Sequence, residues 1–238
     1  MSSSAGEAGR AGRALVTGAS SGIGAAITEH LLDLGWRVTG MCRTAPKIEH
    51  TAFDFAAADL RDEAALTEAA AGLPPVDAFV HAAGFMRVGA LDNLDVADGE
   101  AMWRVHVKAA AVLGKRLVPG MRAGGRIVLI GSRTAAGAAG RSQYAATKAA
   151  LVGLARSWAI ELAGRGITVN VVAPGATATP MLRDPARKSA SPRLPPIGRF
   201  IRPEEIAALV AFLLSEAAAP ITGQQIVICG GASLESPV

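Results

Sequence analysis

A short β-like run, Arg13-Ala-Leu-Val-Thr17, leads directly into Gly18-Ala-Ser-Ser-Gly22-Ile-Gly24 and from there into a helical pattern through Leu34. Strand, glycine turn, helix is a demanding arrangement. Small residues at the turn let the backbone approach a diphosphate, and the helix N-terminus offers free N–H groups and the positive end of its dipole. Gly18, Ser20, Ser21, Gly22, Ile23 and Gly24 are therefore candidate cofactor-binding residues. Their spacing is Gly-x-x-x-Gly-x-Gly, which differs from the Gly-x-Gly-x-x-Gly fingerprint.

The same rhythm continues along the chain. Further strand-like segments fall at 37–41, within 51–60, at 76–80, 126–130, 167–172 and 225–228, and helical patterns lie between them, one of them spanning Asp98 to Val118. Strands alternating with helices require a parallel sheet covered on both faces. The expected fold is α/β, a Rossmann-type doubly wound parallel sheet of about seven strands, whose ligands bind at the carboxyl ends of the strands. The 238 residues suffice for one such domain, expected over 11–238 after a disordered tail at 1–10. A Pro- and Arg-rich stretch near 181–200 lacks periodicity and reads as a substrate lid.

Half the residues are hydrophobic and only 4% aromatic, so the core must be built from small aliphatic side chains. No apolar run approaches the ~18 residues of a membrane span, and the N-terminus lacks a hydrophobic signal region, which points to a cytoplasmic protein with no membrane partner. The net charge of +4 comes from Lys and Arg scattered singly. That distribution argues against nucleic acid as a partner. Cys42 and Cys229 lie in separate apolar segments, as reduced buried thiols would, and no metal site is expected.

The chemistry concentrates in Ser142-Gln-Tyr144-Ala-Ala-Thr-Lys148, at the head of an apolar helical run. Tyr and Lys four apart share one helix face, where an ammonium favours the phenolate and makes the tyrosine a usable acid/base. Ser132, at the carboxyl end of the fifth strand, is suited to donate a hydrogen bond to a carbonyl oxygen on which negative charge grows. At the end of the second strand, where an acid would hold a ribose 2′-hydroxyl, stand Cys42 and Arg43. Arg43 either accommodates a 2′-phosphate, making NADP(H) the preferred cofactor with NAD(H) second, or is a solvated loop residue. Asp59 is placed to cap the helix through Ala71 or to contact adenine.

Taken together, Thr17-Gly18-x-x-x-Gly22-x-Gly24, Asp59-Leu60, Ala83-Gly84, Ser132, Tyr144-x-x-x-Lys148 and Pro174-Gly175 with Thr179 resemble the short-chain dehydrogenase/reductase family over Arg13 to Leu234. The resemblance implies nicotinamide-dependent interconversion of a carbonyl and a secondary alcohol. Tyr144 would be the proton donor or acceptor, Lys148 would bind the nicotinamide ribose and depress the tyrosine pKa, and Ser132 would orient the substrate oxygen. It also implies cofactor contacts at Asp59, Leu60, Ala83, Gly84, Pro174, Gly175, Thr177 and Thr179, and a homodimer or homotetramer. Three departures stand out: His81-Ala82 replaces two asparagines, the Ser132 to Tyr144 interval is short by one, and His106 occupies the position of the family's fourth catalytic residue, an asparagine that anchors a relay water. His106 is either a relay or a packed helix histidine.

Two functions compete. One is an enzyme acting on a small carbonyl or alcohol, such as a 3-oxoacyl thioester; the other is a cofactor-binding regulatory or scaffold protein with impaired catalysis. Seven cations, Arg87, Arg133, Arg141, Arg183, Arg187, Lys188 and Arg193, belong to segments on the strand-carboxyl side. They are either solvated loop residues or a field that draws an anionic substrate. The helix from Ala145 to Leu162 spreads Leu151, Leu154, Trp158 and Leu162 around its circumference, which calls for a second covered face.

Overall fold

The computed structural model describes residues 12–185 and 193–234. The strands are β1 (Arg13–Thr17), β2 (Arg37–Cys42), β3 (Phe53–Ala57), β4 (Ala78–His81), β5 (Arg126–Ile130), β6 (Thr168–Pro174) and β7 (Gln225–Ile228). All neighbours run parallel in the order β3-β2-β1-β4-β5-β6-β7, as the alternating pattern requires. The chain winds outward from β1 to β3 and then returns to the other side of β1. This leaves a crevice at the carboxyl ends of β1 and β4, where Thr17 is in register with His81.

Helices α1 (Gly22–Asp33) and α6 (Pro203–Leu214) cover one face, while α2 (Glu63–Ala71), α4 (Ala109–Leu117) and α5 (Ser142–Ala163) cover the other. Alternation along β1 divides the core: Leu15 joins the α2/α4/α5 side, and Ala14 and Val16 join the α1/α6 side. Small residues permit the close packing that the composition demands. A Cβ on Gly114 of α4 would stand only 3.0 Å from Trp158 of α5. Leu151 and Leu162 are buried, and Leu154 and Trp158 pack against the same core, so one chain already covers much of the apolar set on α5. Ile160 is the large apolar side chain that this helix leaves exposed.

Two expectations need correction. The helix expected from Asp98 to Val118 is divided: α3 (Val96–Trp103) begins after Asp95, whose carboxylate accepts from Ala97 N–H, and a π-helical turn at Arg104–Lys108 separates α3 from α4. Asp59 does not cap α2. Asp62 does, with extended backbone and its carboxylate accepting from Ala64 and Ala65 N–H. The tail at 1–10 and residues 186–192 of the 181–200 stretch, with Arg187 and Lys188, lie outside the described residues.

Among the described residues no helix is long and apolar enough to cross a membrane. Both cysteines are free and buried.

Candidate active site

An open cleft of about 840 Å³ runs across the carboxyl ends of the strands. At one end is the glycine turn. Gly18 has a φ of 72°, and a Cβ there would come within 2.7 Å of Ala83 Cα; a Cβ on Gly24 would fall 2.2 Å from the Gly18 carbonyl oxygen. Only glycine fits either position. The Ser21 side chain makes no capping bond at the start of α1, so the N–H groups of its first turn are open to a ligand. A backbone cradle, a helix N-terminus and space beside them fit the diphosphate of a dinucleotide.

At the middle of the cleft, α5 presents Tyr144 and Lys148 one turn apart, both buried. Lys148 Nζ donates to the Ile130 carbonyl at 2.8 Å and lies 5.8 Å from the centroid of the Tyr144 ring. Burial pushes this ammonium down to about 7. A phenolate at Tyr144 works against this depression, because ammonium and phenolate each favour the other's charged form. Ser132, at the end of β5, accepts from Thr134 N–H at 3.1 Å, which fixes its side chain at the cleft wall.

The cofactor-side expectations gather along the same cleft. Arg43 is exposed and lines it beyond β2, near Asp59 and Leu60 beyond β3. Asp59 is paired with Arg61 at 2.6 Å, and hydrogen bonding to that guanidinium lowers its pKa to about 2, with a smaller contribution from Arg43. Ala83, Gly84, Pro174, Gly175, Thr177 and Thr179 also line the cleft, with Thr179 over Gly22. Of the seven cations, Arg87, Arg133, Arg141 and Arg193 reach the lining, and the exposed Arg183 does not. Arg87 lies over the Phe85 ring and is held by Asp98 at 3.7 Å and Asp184 at 3.4 Å, which offsets its charge.

Residues 18–233 match the family described as Enoyl-(Acyl carrier protein) reductase. A 2,3-dihydro-2,3-dihydroxybenzoate dehydrogenase of Escherichia coli is 37% identical over 92% of this chain and 96% of its own. A 3-oxoacyl-(acyl-carrier-protein) reductase of Salmonella typhimurium is 36% identical over 92% and 96%. Among solved structures, a short chain dehydrogenase from Burkholderia cenocepacia in complex with NADP superposes with a TM-score of 0.84, at 36% identity over 93% of this chain and 97% of that one. The chain is a short-chain dehydrogenase/reductase. As a member of that family it is an NAD(P)-dependent oxidoreductase.

Within this dehydrogenase/reductase the two histidines that depart from the family pattern do not point into the cleft. His81 Nε2 faces the Val105 carbonyl at 3.0 Å, and its Nδ1 faces Thr17 Oγ1 at 2.9 Å. A carbonyl only accepts, so Nε2 carries the hydrogen and the Thr17 hydroxyl donates to Nδ1. The Thr17 oxygen in turn accepts from the N–H groups of Ala82 and Ala83, which fixes the turn after β4. His106, at the π-helical turn, lies behind Tyr144 and is fully buried. Burial, reinforced by Lys148, pushes His81 down to about 3 and His106 well below its ordinary value.

Sequence reasoning missed Thr17 and Thr147, which orient these two rings, and the apolar lining of Phe85, Met86 and Met181 packed near Tyr144. Phe85 and Met86 directly follow Ala83-Gly84, so that turn was the available signal.

Proposed function

We propose that this short-chain dehydrogenase/reductase uses NADP(H) to interconvert a 3-oxoacyl thioester, or a closely similar 3-oxo compound, and its secondary alcohol, with Tyr144 as the acid/base. The observation that carries the reading is that Tyr144, Lys148 and Ser132 line one cleft with the glycine cradle. Bound NADP(H) supplies or accepts the hydride at the substrate carbon. In reduction the Tyr144 phenol gives its proton to the carbonyl oxygen. Ser132 donates a hydrogen bond to that oxygen as negative charge grows on it, and Lys148 favours the phenolate that remains. Lys148 also binds the nicotinamide ribose, Gly18 to Gly24 hold the diphosphate, and Arg43 takes the 2′-phosphate, since no acid stands at the end of β2. Relatives named 3-oxoacyl-(acyl-carrier-protein) reductase support the substrate class. So does a substrate end that combines the apolar Phe85, Met86 and Met181 with Arg141 and Arg193 at its wall, a surface suited to an acyl chain on an anionic carrier.

The test is NADPH consumption with ethyl acetoacetate as the probe 3-oxo ester. Tyr144→Phe should lower kcat by about 10²–10⁴-fold while NADPH affinity changes little. Turnover by Tyr144→Phe at the wild-type rate would overturn the assignment.

A further inference from the structure

The protonation of His106 is dictated twice over by its neighbours. The one hydroxyl proton of Thr147 is donated to the Tyr144 carbonyl at 2.8 Å, so toward His106 Nδ1, 2.9 Å away, the threonine oxygen can only accept. Nδ1 therefore carries a hydrogen. On the other side the backbone N–H of Phe85 donates to Nε2 at 3.1 Å, so Nε2 carries none. Partners on two different segments thus demand the same neutral tautomer. A hydrogen on Nε2 would be set against the Phe85 N–H. With Nδ1 protonated as well, it would place a charge in a pocket that Lys148 faces from α5 and His81 faces from β4.

The ring touches the machinery without entering the cleft. It meets the Tyr144 ring edge-on, with centroids 5.7 Å apart and planes at 89°, and the Phe85 ring at 5.9 Å. A Cβ on Gly84 would stand 3.0 Å from its Nε2 and 3.5 Å from Lys148 Nζ. His106 therefore joins α5 to the turn after β4 at the point where Tyr144, Lys148 and the 84–85 backbone come together.

We propose that His106 is a positioning residue for Tyr144: a neutral imidazole with its hydrogen on Nδ1 that braces α5 against the turn after β4 and carries no proton in the reaction. The positioning role rests on Tyr144 being the acid/base; the tautomer does not. Ring-nitrogen NMR of the whole enzyme with isotope-labelled histidine should show His106 neutral and Nδ1-protonated from about pH 5 to 8, and His81 neutral in the opposite tautomer. An Nε2-protonated His106, or its titration in that range, overturns the proposal. His106→Leu should lower kcat for ethyl acetoacetate roughly 10- to 100-fold by letting the phenol shift, with NADPH affinity nearly unchanged and the ionisations in the kcat–pH profile retained. His106→Gln, which keeps an acceptor for Phe85 N–H, should recover part of that loss. A wild-type kcat in His106→Leu, or disappearance of an ionisation from its profile, also overturns it. If the wild type reduces no ethyl acetoacetate, the functional reading has failed for that probe. The positioning role is then decided by the absorbance titration of Tyr144, whose midpoint must move in His106→Leu and whose constancy overturns it.

Discussion

Tyr144 is the only tyrosine among 238 residues, so the proposed acid/base has no substitute of its own kind in the chain. What surrounds it is more specialised than a four-residue spacing conveys. The spacing places phenol and ammonium on one face. Only the tertiary structure shows that Lys148 is buried against the Ile130 carbonyl and is thereby pushed down to about 7. Arg43 is the converse case, a residue whose proposed role follows from its place at the end of β2 and the missing acid there. Arg43→Ala should remove one charge-assisted phosphate contact, costing ~1.5–3 kcal/mol, and so weaken NADPH about ten- to a hundredfold while leaving NADH nearly unchanged. Fluorescence titration with both cofactors reads the difference, and equal losses would refute a 2′-phosphate role.

Among the elements, the strand–turn–helix at residues 13–33 was legible because everything it needs is local: an apolar run, glycines at fixed offsets and a periodic helix. Gly24 shows how tight that unit is. Its Cβ position is 2.2 Å from backbone, which no rotamer can relieve. Gly24→Ala should therefore weaken NADPH and NADH alike by displacing the start of α1, in contrast to the selective loss at Arg43, and wild-type affinity for either cofactor would contradict the cradle. The π-helical turn at Arg104–Lys108 was not legible, because the bonds around it join residues far apart in sequence. Val105 accepts from His81, 24 positions earlier, and His106 donates to Thr147, 41 positions later. The expectation that Asp59 caps α2 failed because the chain makes one further turn, with Asp62 N–H donating to the Asp59 carbonyl at 3.0 Å, before the helix starts at Glu63.

For the whole molecule, two histidines held neutral in the interior have a consequence for acid stability. Folded His81 has its pKa lowered to about 3, so between about 6.5 and 3 the unfolded chain binds a proton there that the folded one refuses, and His106, lowered in the same direction, adds to the effect. The sign follows: stability is complete above the ordinary histidine value and is lost as pH falls below it, by about 1.4 kcal/mol per pH unit for each such histidine. Asp59 and Glu205, lowered to about 2 by arginine partners, lose their contributions only at lower pH, below the ordinary carboxylate value. Urea midpoints between about pH 6 and 5 therefore report chiefly on the histidines. His81→Asn should flatten the slope by close to one proton, and an unchanged slope would show that His81 is not the group responsible.

The tuning of Tyr144 by Lys148 is open to direct measurement because no second tyrosine obscures the phenolate absorbance. Titrating that band in the wild type and in Lys148→Met keeps the phenol in the same cleft and changes only its neighbour. The midpoint should lie lower in the wild type by at least about one pH unit, as an opposite charge at this range would produce. Coincident midpoints in the two proteins would contradict the assignment of Tyr144 and Lys148 as a tuned acid/base pair.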